Sequence, residues 1–242
     1  MSNVTFEQLW KSGAHFGHLT RKWNPKMKGY IFMQKSGIHI IDLNKTAECL
    51  DVATRFIRET VRKGGDVLFV GTKKQAKDII QKEADRCGMF YVVERWLGGT
   101  MTNFSTIKKS IRHLLKLEKD KSSGYDENLT KKEKLSLERE RIKLADLHRG
   151  IKDMRKIPDV LVVVDILHDD IAVKEAKRLD IPVVAIIDTN ADPTEVDYPI
   201  PANDDSIQAI QLIIGELANA ILEAKSSKLV EVPSPTANSA IN

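Results

Sequence analysis

Three short, unbroken apolar runs constrain the fold more than anything else in this chain: Val67-Leu-Phe-Val70, Val160-Leu-Val-Val-Val164 and Val183-Val-Ala-Ile-Ile187. A strand with one face in water alternates apolar and polar residues. A strand covered on both faces has no such need, so continuous β-branched runs mark the buried strands of a parallel sheet flanked by helices. The intervening segments supply those helices. One is expected over 46–62, with Cys49, Val52, Ala53, Phe56 and Ile57 on a stripe, before Gly64-Gly65 ends it. Thr72-Lys-Lys-Gln75 fits a capping box for a helix running to about residue 86. Further strands are expected at Met89-Phe-Tyr-Val-Val93 and near Tyr198-Pro-Ile200, with helices over 169–179 and 205–225. This βαβα order predicts an α/β fold, a doubly wound and mostly parallel sheet.

Two regions depart from that order. At the N-terminus, Thr5-Phe-Glu-Gln8 is a capping box that opens a helix with Phe6, Leu9 and Trp10 on one face. A loop over 13–18 follows, then a strand pair around Gln34-Lys-Ser-Gly37. Between the sheet segments, Ile107, Ile111, Leu114 and Leu115 form one helical stripe. After a third capping box, Thr130-Lys-Lys-Glu133, apolar residues recur in heptad-like steps at Leu137, Leu144, Leu147, Ile151 and Met154. The reading is an inserted antiparallel coiled-coil helical hairpin over 104–156. The sheet domain is then discontinuous, 1–103 and 157–225, and the Ser/Pro/Ala/Asn-rich 226–242 is expected to be a disordered tail.

A net charge of +4 conceals a sharp segregation. Residues 1–156 hold 33 Lys/Arg against 19 Asp/Glu, whereas residues 157–242 hold 5 against 15. Within 101–156 the balance is 16 against 9, so the expected hairpin is basic. Solubility does not require such asymmetry; a polyanion-facing surface joined to an acidic one does. Two cysteines, Cys49 and Cys87, are too few for a disulfide framework or a thiolate zinc site. The first residues lack the charged and apolar regions of a secretory signal, and no apolar stretch approaches the roughly 18–20 residues that cross a bilayer. A soluble, cytoplasmic protein is expected.

Catalytic motifs are scarce. Gly71-Thr-Lys-Lys74 follows a strand and opens a helix, a place that favours an anion, but the spacing does not fit a Walker loop. No G-x-G-x-x-G, G-x-S-x-G or H-E-x-x-H occurs. An acidic cluster is the main alternative. Asp165 and Asp188 end central strands, Asp192 and Asn203-Asp204-Asp205 lie in the following loops, and strand C-termini form the ligand crevice of such sheets. His18, Asp188, Asp204 and Asp205 are candidate metal ligands: oxygen donors suit Mg²⁺, and an imidazole shifts preference toward Zn²⁺. The competing reading has Asp205 capping the last helix and the other carboxylates closing Asx-turns. No cofactor is required by either. An enzyme acting on phosphorylated metabolites at Asp165, Asp188 and Asp205 explains the sheet and the acids, but not the basic insertion.

Basic residues interleaved with aromatics and glycines make the stronger constellation. Arg21-Lys-Trp-Asn-Pro-Lys-Met-Lys28 sets four cations around one indole, and Glu94-Arg-Trp-Leu-Gly-Gly-Thr-Met-Thr-Asn103 leads from an Arg-Trp pair into the hairpin. Cations supply affinity for RNA phosphates, and Arg can stack on bases. Trp96 and Phe104 are expected to pack the hairpin base. The candidate RNA contacts are Arg21, Lys22, Lys26 and Lys28 on an N-terminal arm, and Lys73 and Lys74 at a helix start. Arg95, Asn103, Lys108, Lys109 and Arg112 belong to the hairpin base, and Arg149, Lys152, Arg155 and Lys156 to its return.

Seven motifs together resemble a known family. His15-Phe-Gly-His18, Trp23-Asn-Pro-Lys-Met27, Phe69-Val-Gly-Thr-Lys73, Arg95-Trp-Leu-Gly-Gly99, Ile181-Pro-Val-Val184, Asp188-Thr-Asn-Ala-Asp-Pro193 and Ile200-Pro-Ala-Asn-Asp-Asp205 are similar to the bacterial small-subunit ribosomal protein two family. The resemblance implies an α/β sheet with a protruding hairpin, no enzymatic activity, and a place between head and body of the small subunit. It implies contact with ribosomal RNA through the hairpin and nearby basic surfaces, beside other small-subunit proteins. It further implies help in recruiting ribosomal protein one, a role that suits the acidic half with the N-terminal region. Neither a membrane nor a small-molecule substrate is implied.

Overall fold

A computed structural model describes residues 4–123 and 129–230. The three apolar runs are indeed the middle of a five-stranded, all-parallel sheet. β4 (Val67–Val70), β6 (Val160–Val164) and β7 (Val183–Ile187) lie side by side, with β5 (Phe90–Val92) outside β4 and β8 (Tyr198–Pro201) outside β7. Every residue of β4, β6 and β7 is buried, which is why these runs show no polar alternation. Because strand side chains alternate, each strand feeds two cores. Phe69, Val162 and Val184 face α2 (Leu43–Arg62), α3 (Lys77–Cys87) and α7 (Ile207–Val230). Leu68, Leu161 and Val163 face α6 (Asp170–Arg178) and the base of the hairpin, where Trp96, Ile107, Ile111, Ile151 and Met154 are buried and Phe104 is half-buried.

Several boundaries shift from their expected places. The α2 stripe is Leu50, Ala53, Thr54, Ile57 and Val61, with Val52 turned outward and Asp42 as the N-cap. Thr72 does not cap α3. Its backbone N–H and hydroxyl both donate to Asp169, and the helix begins only at Lys77. The last helix runs to Val230 rather than 225; the remainder of the expected tail, 231–242, lies outside the described residues. Within α7, Ile207–Ser227 is long and apolar enough on composition to cross a bilayer, contrary to expectation. Its packing accounts for that composition: Ala209, Ile210, Ile213, Ile214, Leu217, Ala218 and Ile221 are all buried in the sheet's first core.

The N-terminal helix α1 (Phe6–Lys11) has its capping box, but only Leu9 is buried, and Phe6 and Trp10 stay exposed. The expected loop after it holds a strand, β1 (Phe16–Leu19), which pairs with β3 (Ile38–Ile41) beside β2 (Ile31–Lys35) in an antiparallel sheet. Gly17 permits the approach: a Cβ there would lie 2.6 Å from Thr189 Cγ2 and 3.1 Å from the His39 carbonyl oxygen.

The insertion is a pair of helices, α4 (Phe104–Ser122) and α5 (Lys131–His148). α4 buries Ile107, Ile111, Leu114 and Leu117, so the stripe runs through Leu117 rather than the exposed Leu115. α5 keeps its capping box at Thr130 and Glu133, yet His148 is its one buried residue. Polar pairs link the helices: Ser110 Oγ with His148 Nε2 at 2.9 Å, His113 with Glu140 at 3.0 Å, and Lys121 with Glu138 at 2.7 Å. The coiled-coil seam expected from the heptads is not established by this packing. The connection at 124–128 lies outside the described residues.

Candidate RNA interface and acidic cluster

The hairpin base is assembled from three directions. From the sheet, the 95–103 loop enters with Trp96 buried and Thr100 and Met101 tucked beneath it. From the return, Ile151 and Met154 close the same core. Gly150 presses on β5 so closely that a Cβ would sit 2.2 Å from the Tyr91 carbonyl oxygen. From α4, Ile107 and Ile111 point inward, which turns Lys108 and Arg112 toward the rim. Lys108, Arg112, Lys152 and Arg155 line one cleft of about 380 Å³ with Asp153, Ile111, Leu115 and Met154. Lys108 Nζ sits 4.8 Å over the Phe104 ring and donates to the Arg155 carbonyl, and Lys152 pairs with Glu118. Arg112 and Arg155 are exposed with no ion pair among the described residues.

The other candidates divide by what already holds them. Arg21, Lys22 and Lys28 are exposed and without ion pairs among the described residues, beside Trp23, which packs on His39 with ring centres 5.0 Å apart. Lys26 pairs with Asp192 at 2.7 Å, which holds that carboxyl down at about 2. Arg95, Lys74 and Lys109 are exposed. Asn103 is exposed at the start of α4, where its Oδ1 accepts from Thr106 Oγ1 at 2.9 Å. Arg149 pairs with Glu94 at 3.2 Å, and Lys156 with Asp159 at 2.7 Å. Exposed pairs of this kind are screened by solvent and weak, so a phosphate can compete for either cation.

Lys73 is the exception, because its ammonium is already held inside a ring of carboxylates. Its side chain is only 15% exposed, and its ammonium lies 2.7 Å from Asp204, 2.7 Å from Asp205 and 3.3 Å from Asp165. Burial alone would lower the lysine pKa; the hydrogen bonds to Asp204 and Asp205 outweigh it, and the ammonium is held more firmly than usual. The strand ends thus gather an acidic cluster around one internal cation.

The candidate metal ligands do converge there. His18, Asp188 and Asp204 offer donor atoms within 4.8 Å of one another. His18 Nδ1 is 3.0 Å from Asp188, and that hydrogen bond raises the imidazole pKa; its Nε2 is 3.9 Å from Asp205. Burial, with Asp165 and Asp188 nearby, pushes Asp204 up to about 7. Asp205 does not cap the last helix, because Ser206 Oγ accepts from the Ala209 N–H instead. Asp192 does close an Asx-turn, accepting from the Thr194 N–H at 2.9 Å.

One buried carboxylate at the hairpin base has no sequence expectation attached to it. Glu175 on α6 accepts hydrogen bonds from Trp96, Gly99, Met101 and Thr102 of the 96–102 loop. The only sequence signal is indirect: a Gly-Gly-Thr-Met-Thr segment has many backbone donors and no carboxylate of its own to accept from them.

Comparison with known proteins bears on the same residues. Residues 9–224 match the family model described as ribosomal protein S2. The small ribosomal subunit protein uS2 of Geotalea uraniireducens (strain Rf4) is 50% identical over 236 residues, which cover 98% of this chain and 92% of that protein. The matched span takes in the parallel sheet, the hairpin and the acidic cluster alike, and the chain belongs to the ribosomal protein S2 family.

Proposed function

We propose that this chain is a non-catalytic structural constituent of the small ribosomal subunit, ribosome-bound in the cytoplasm, that grips ribosomal RNA with its hairpin base and N-terminal arm. The observation that carries the reading is the cleft where Lys108, Arg112, Lys152 and Arg155 converge. Four cations against the single carboxylate of Asp153 suit a phosphate backbone, with Arg112 and Arg155 free of ion pairs among the described residues, while Ile111, Leu115 and Met154 give that groove an apolar wall. The rival enzyme for phosphorylated metabolites finds no support in the family assignment, and Lys73 is already neutralised by carboxylates where a substrate phosphate would need it. Replacing Arg112 and Arg155 by Ala lowers the affinity for small-subunit ribosomal RNA. It also reduces the salt slope by about 0.7–0.9 for each phosphate that is no longer neutralised. Unchanged affinity and slope in filter binding overturn the assignment.

Two finer readings accompany it. Ribosomal protein one docks against the N-terminal region, where Phe6, Trp10, Phe32 and Met33 are exposed around a cavity of about 270 Å³. An apolar patch of that kind favours a protein partner over solvent. Subunits carrying Phe32→Ala should retain less ribosomal protein one, and full retention counts against the docking. His18, Asp188 and Asp204, with Asp205 at the rim, hold Zn²⁺ in preference to Mg²⁺, the imidazole deciding the preference. A Zn²⁺-dependent rise in melting temperature that His18→Ala abolishes supports this reading, and the absence of any shift removes it.

A further inference from the structure

The loop that joins the sheet to the hairpin closes around a single carboxylate. Glu175 is 7% exposed. Its Oε1 accepts from Trp96 Nε1 at 3.0 Å and the Gly99 N–H at 2.7 Å. Its Oε2 accepts from the Met101 N–H at 3.0 Å, the Thr102 N–H at 2.9 Å and Thr102 Oγ1 at 3.0 Å. No Lys, Arg or His among the described residues forms an ion pair with it, so N–H and O–H dipoles alone balance the charge. Burial by itself would raise its pKa, but the bonds from Thr102, Trp96, Gly99 and Met101 outweigh that and hold it below the ordinary range.

The place of these donors in the chain gives the arrangement its consequence. Thr102 stands two residues before α4 begins, and Arg95 is next to Trp96. Trp96 shares its core with Ile107, Ile111, Ile151 and Met154, which form the floor of the hairpin. On the other side, α6 is fixed to the sheet through the buried Ala172, Val173 and Ala176. Apolar burial is non-directional and would tolerate a rotated hairpin base. Five directional bonds to one rigid anchor would not.

We propose that Glu175 is the positioning residue for RNA binding at the hairpin base: by gathering the 96–102 loop it sets the start of α4, and with it the placement of Arg95, Lys108 and Arg112. The inference rests on the RNA-binding reading above. It makes a strict demand on chemistry at residue 175. A carboxylate is acceptor-only, whereas the amide of Gln carries two N–H donors on one of its atoms. Whichever way the amide of Glu175→Gln is turned, a donor faces two or three donors of the loop. Asp would be charged but too short to reach all five.

The experiment uses the full-length protein with small-subunit ribosomal RNA, in a double-mutant cycle. E175Q should lower affinity about tenfold, because misplacing a rigid set of contacts forfeits most of their joint effect. The loss caused by Arg95→Ala with Arg112→Ala should shrink in the E175Q background, whereas the loss from Arg21→Ala with Lys22→Ala should stay as large as in wild type. Amide exchange at Gly99, Met101 and Thr102 should quicken while the strands around Phe69 and Val162 keep their protection. Thr102→Val removes a single donor and should move affinity the same way by about two- to threefold, which covers the case in which E175Q fails to fold. Full additivity of the E175Q and Arg95/Arg112 effects, or wild-type affinity in both variants, overturns the role of Glu175 and leaves RNA binding standing. No RNA binding by the wild-type protein overturns both.

Discussion

The sheet and the hairpin are built by opposite means. In β4, β6 and β7 every residue is buried, and the strands are fixed by apolar packing from two sides. In α5 one residue of the helix is buried, and Leu135 and Ile142 stand in solvent at 53% and 46% exposure. The sheet places things; the hairpin is placed. Its orientation is set at the base, by the floor under Trp96, the contact of Gly150 with Tyr91 and the carboxylate of Glu175. The cations of the hairpin stay out of its core. α5, with His148 its one buried residue, cannot draw its rigidity from burial as the strands do, whereas α4 still buries a stripe of Ile107, Ile111, Leu114 and Leu117.

The largest expected effect tests the sheet side. Phe69 is fully buried in β4, and Phe69→Ala should cost about 3–5 kcal/mol through lost transfer energy and a residual cavity. Denaturant unfolding with amide exchange reads it. If the sheet supports the hairpin, α4 and α5 lose protection along with the strands. Hairpin protection that survives a destabilised sheet would mean the two are independent, and the comparison would fail.

The next test concerns the acidic cluster at the strand ends. Asp204 has a native pKa of about 7 against an ordinary value of 3.8, because it is buried beside Asp165 and Asp188. Between those values the native state keeps a proton that the unfolded chain releases, so this contribution is full at low pH and is lost as pH rises through 7. His18 shifts upward as well, and its contribution is likewise present below its unfolded value of 6.5 and lost at higher pH. The metal-free protein should therefore lose up to roughly 3 kcal/mol between pH 5 and pH 8. Asp204→Asn should flatten most of that slope in parallel denaturation curves. An identical slope in the variant would place the titrating group elsewhere.

What can be read in the sequence follows the same division. Apolar runs at 67–70, 160–164 and 183–187 are local signals of a non-local sheet, because double-sided burial leaves its mark on consecutive residues. Capping boxes at Thr5 and Thr130 are legible because both partners lie three residues apart. The box at Thr72 misleads, since the hydroxyl is taken by Asp169, 97 positions away, and no spacing rule foresees a partner at that range. β1 is hidden between glycines and exists only through its pairing with β3 and the close approach to Thr189. Among the candidate contacts, the surroundings of Lys73 are hidden for a related reason: its three carboxylate partners arrive from distant segments, 92 positions away for Asp165 and 131 for Asp204. Glu175 is invisible among 34 acidic residues because nothing beside it in the chain marks it.

Gly150 offers a sharper and smaller test at the seam between the two regions. A Cβ there meets the Tyr91 carbonyl oxygen at 2.2 Å and the Tyr91 ring at 2.5 Å, neither of which can swing aside as a flexible side chain could. Gly150→Ala should lift the return segment off β5 at a cost of about 1–3 kcal/mol. Faster amide exchange over 149–154 with unchanged central strands is the expected pattern. Loss of protection throughout the sheet would show that the hairpin base supports the body as much as the body supports it.

The smallest effect is expected on the outer face of the hairpin, and its smallness is informative. Ile142 is nearly half exposed on α5, outside the expected heptad positions. Ile and Ser have similar helix propensity, so Ile142→Ser changes little besides a side chain already in water. The chemical-denaturation midpoint should correspond to a change within about 0.5 kcal/mol. A loss well above roughly 1 kcal/mol would mean that this face is covered in solution, since only removal from water makes an aliphatic side chain that valuable. α5 would then owe part of its rigidity to burial, as α4 already does through Leu114 and Leu117, and the contrast with the sheet would be one of degree.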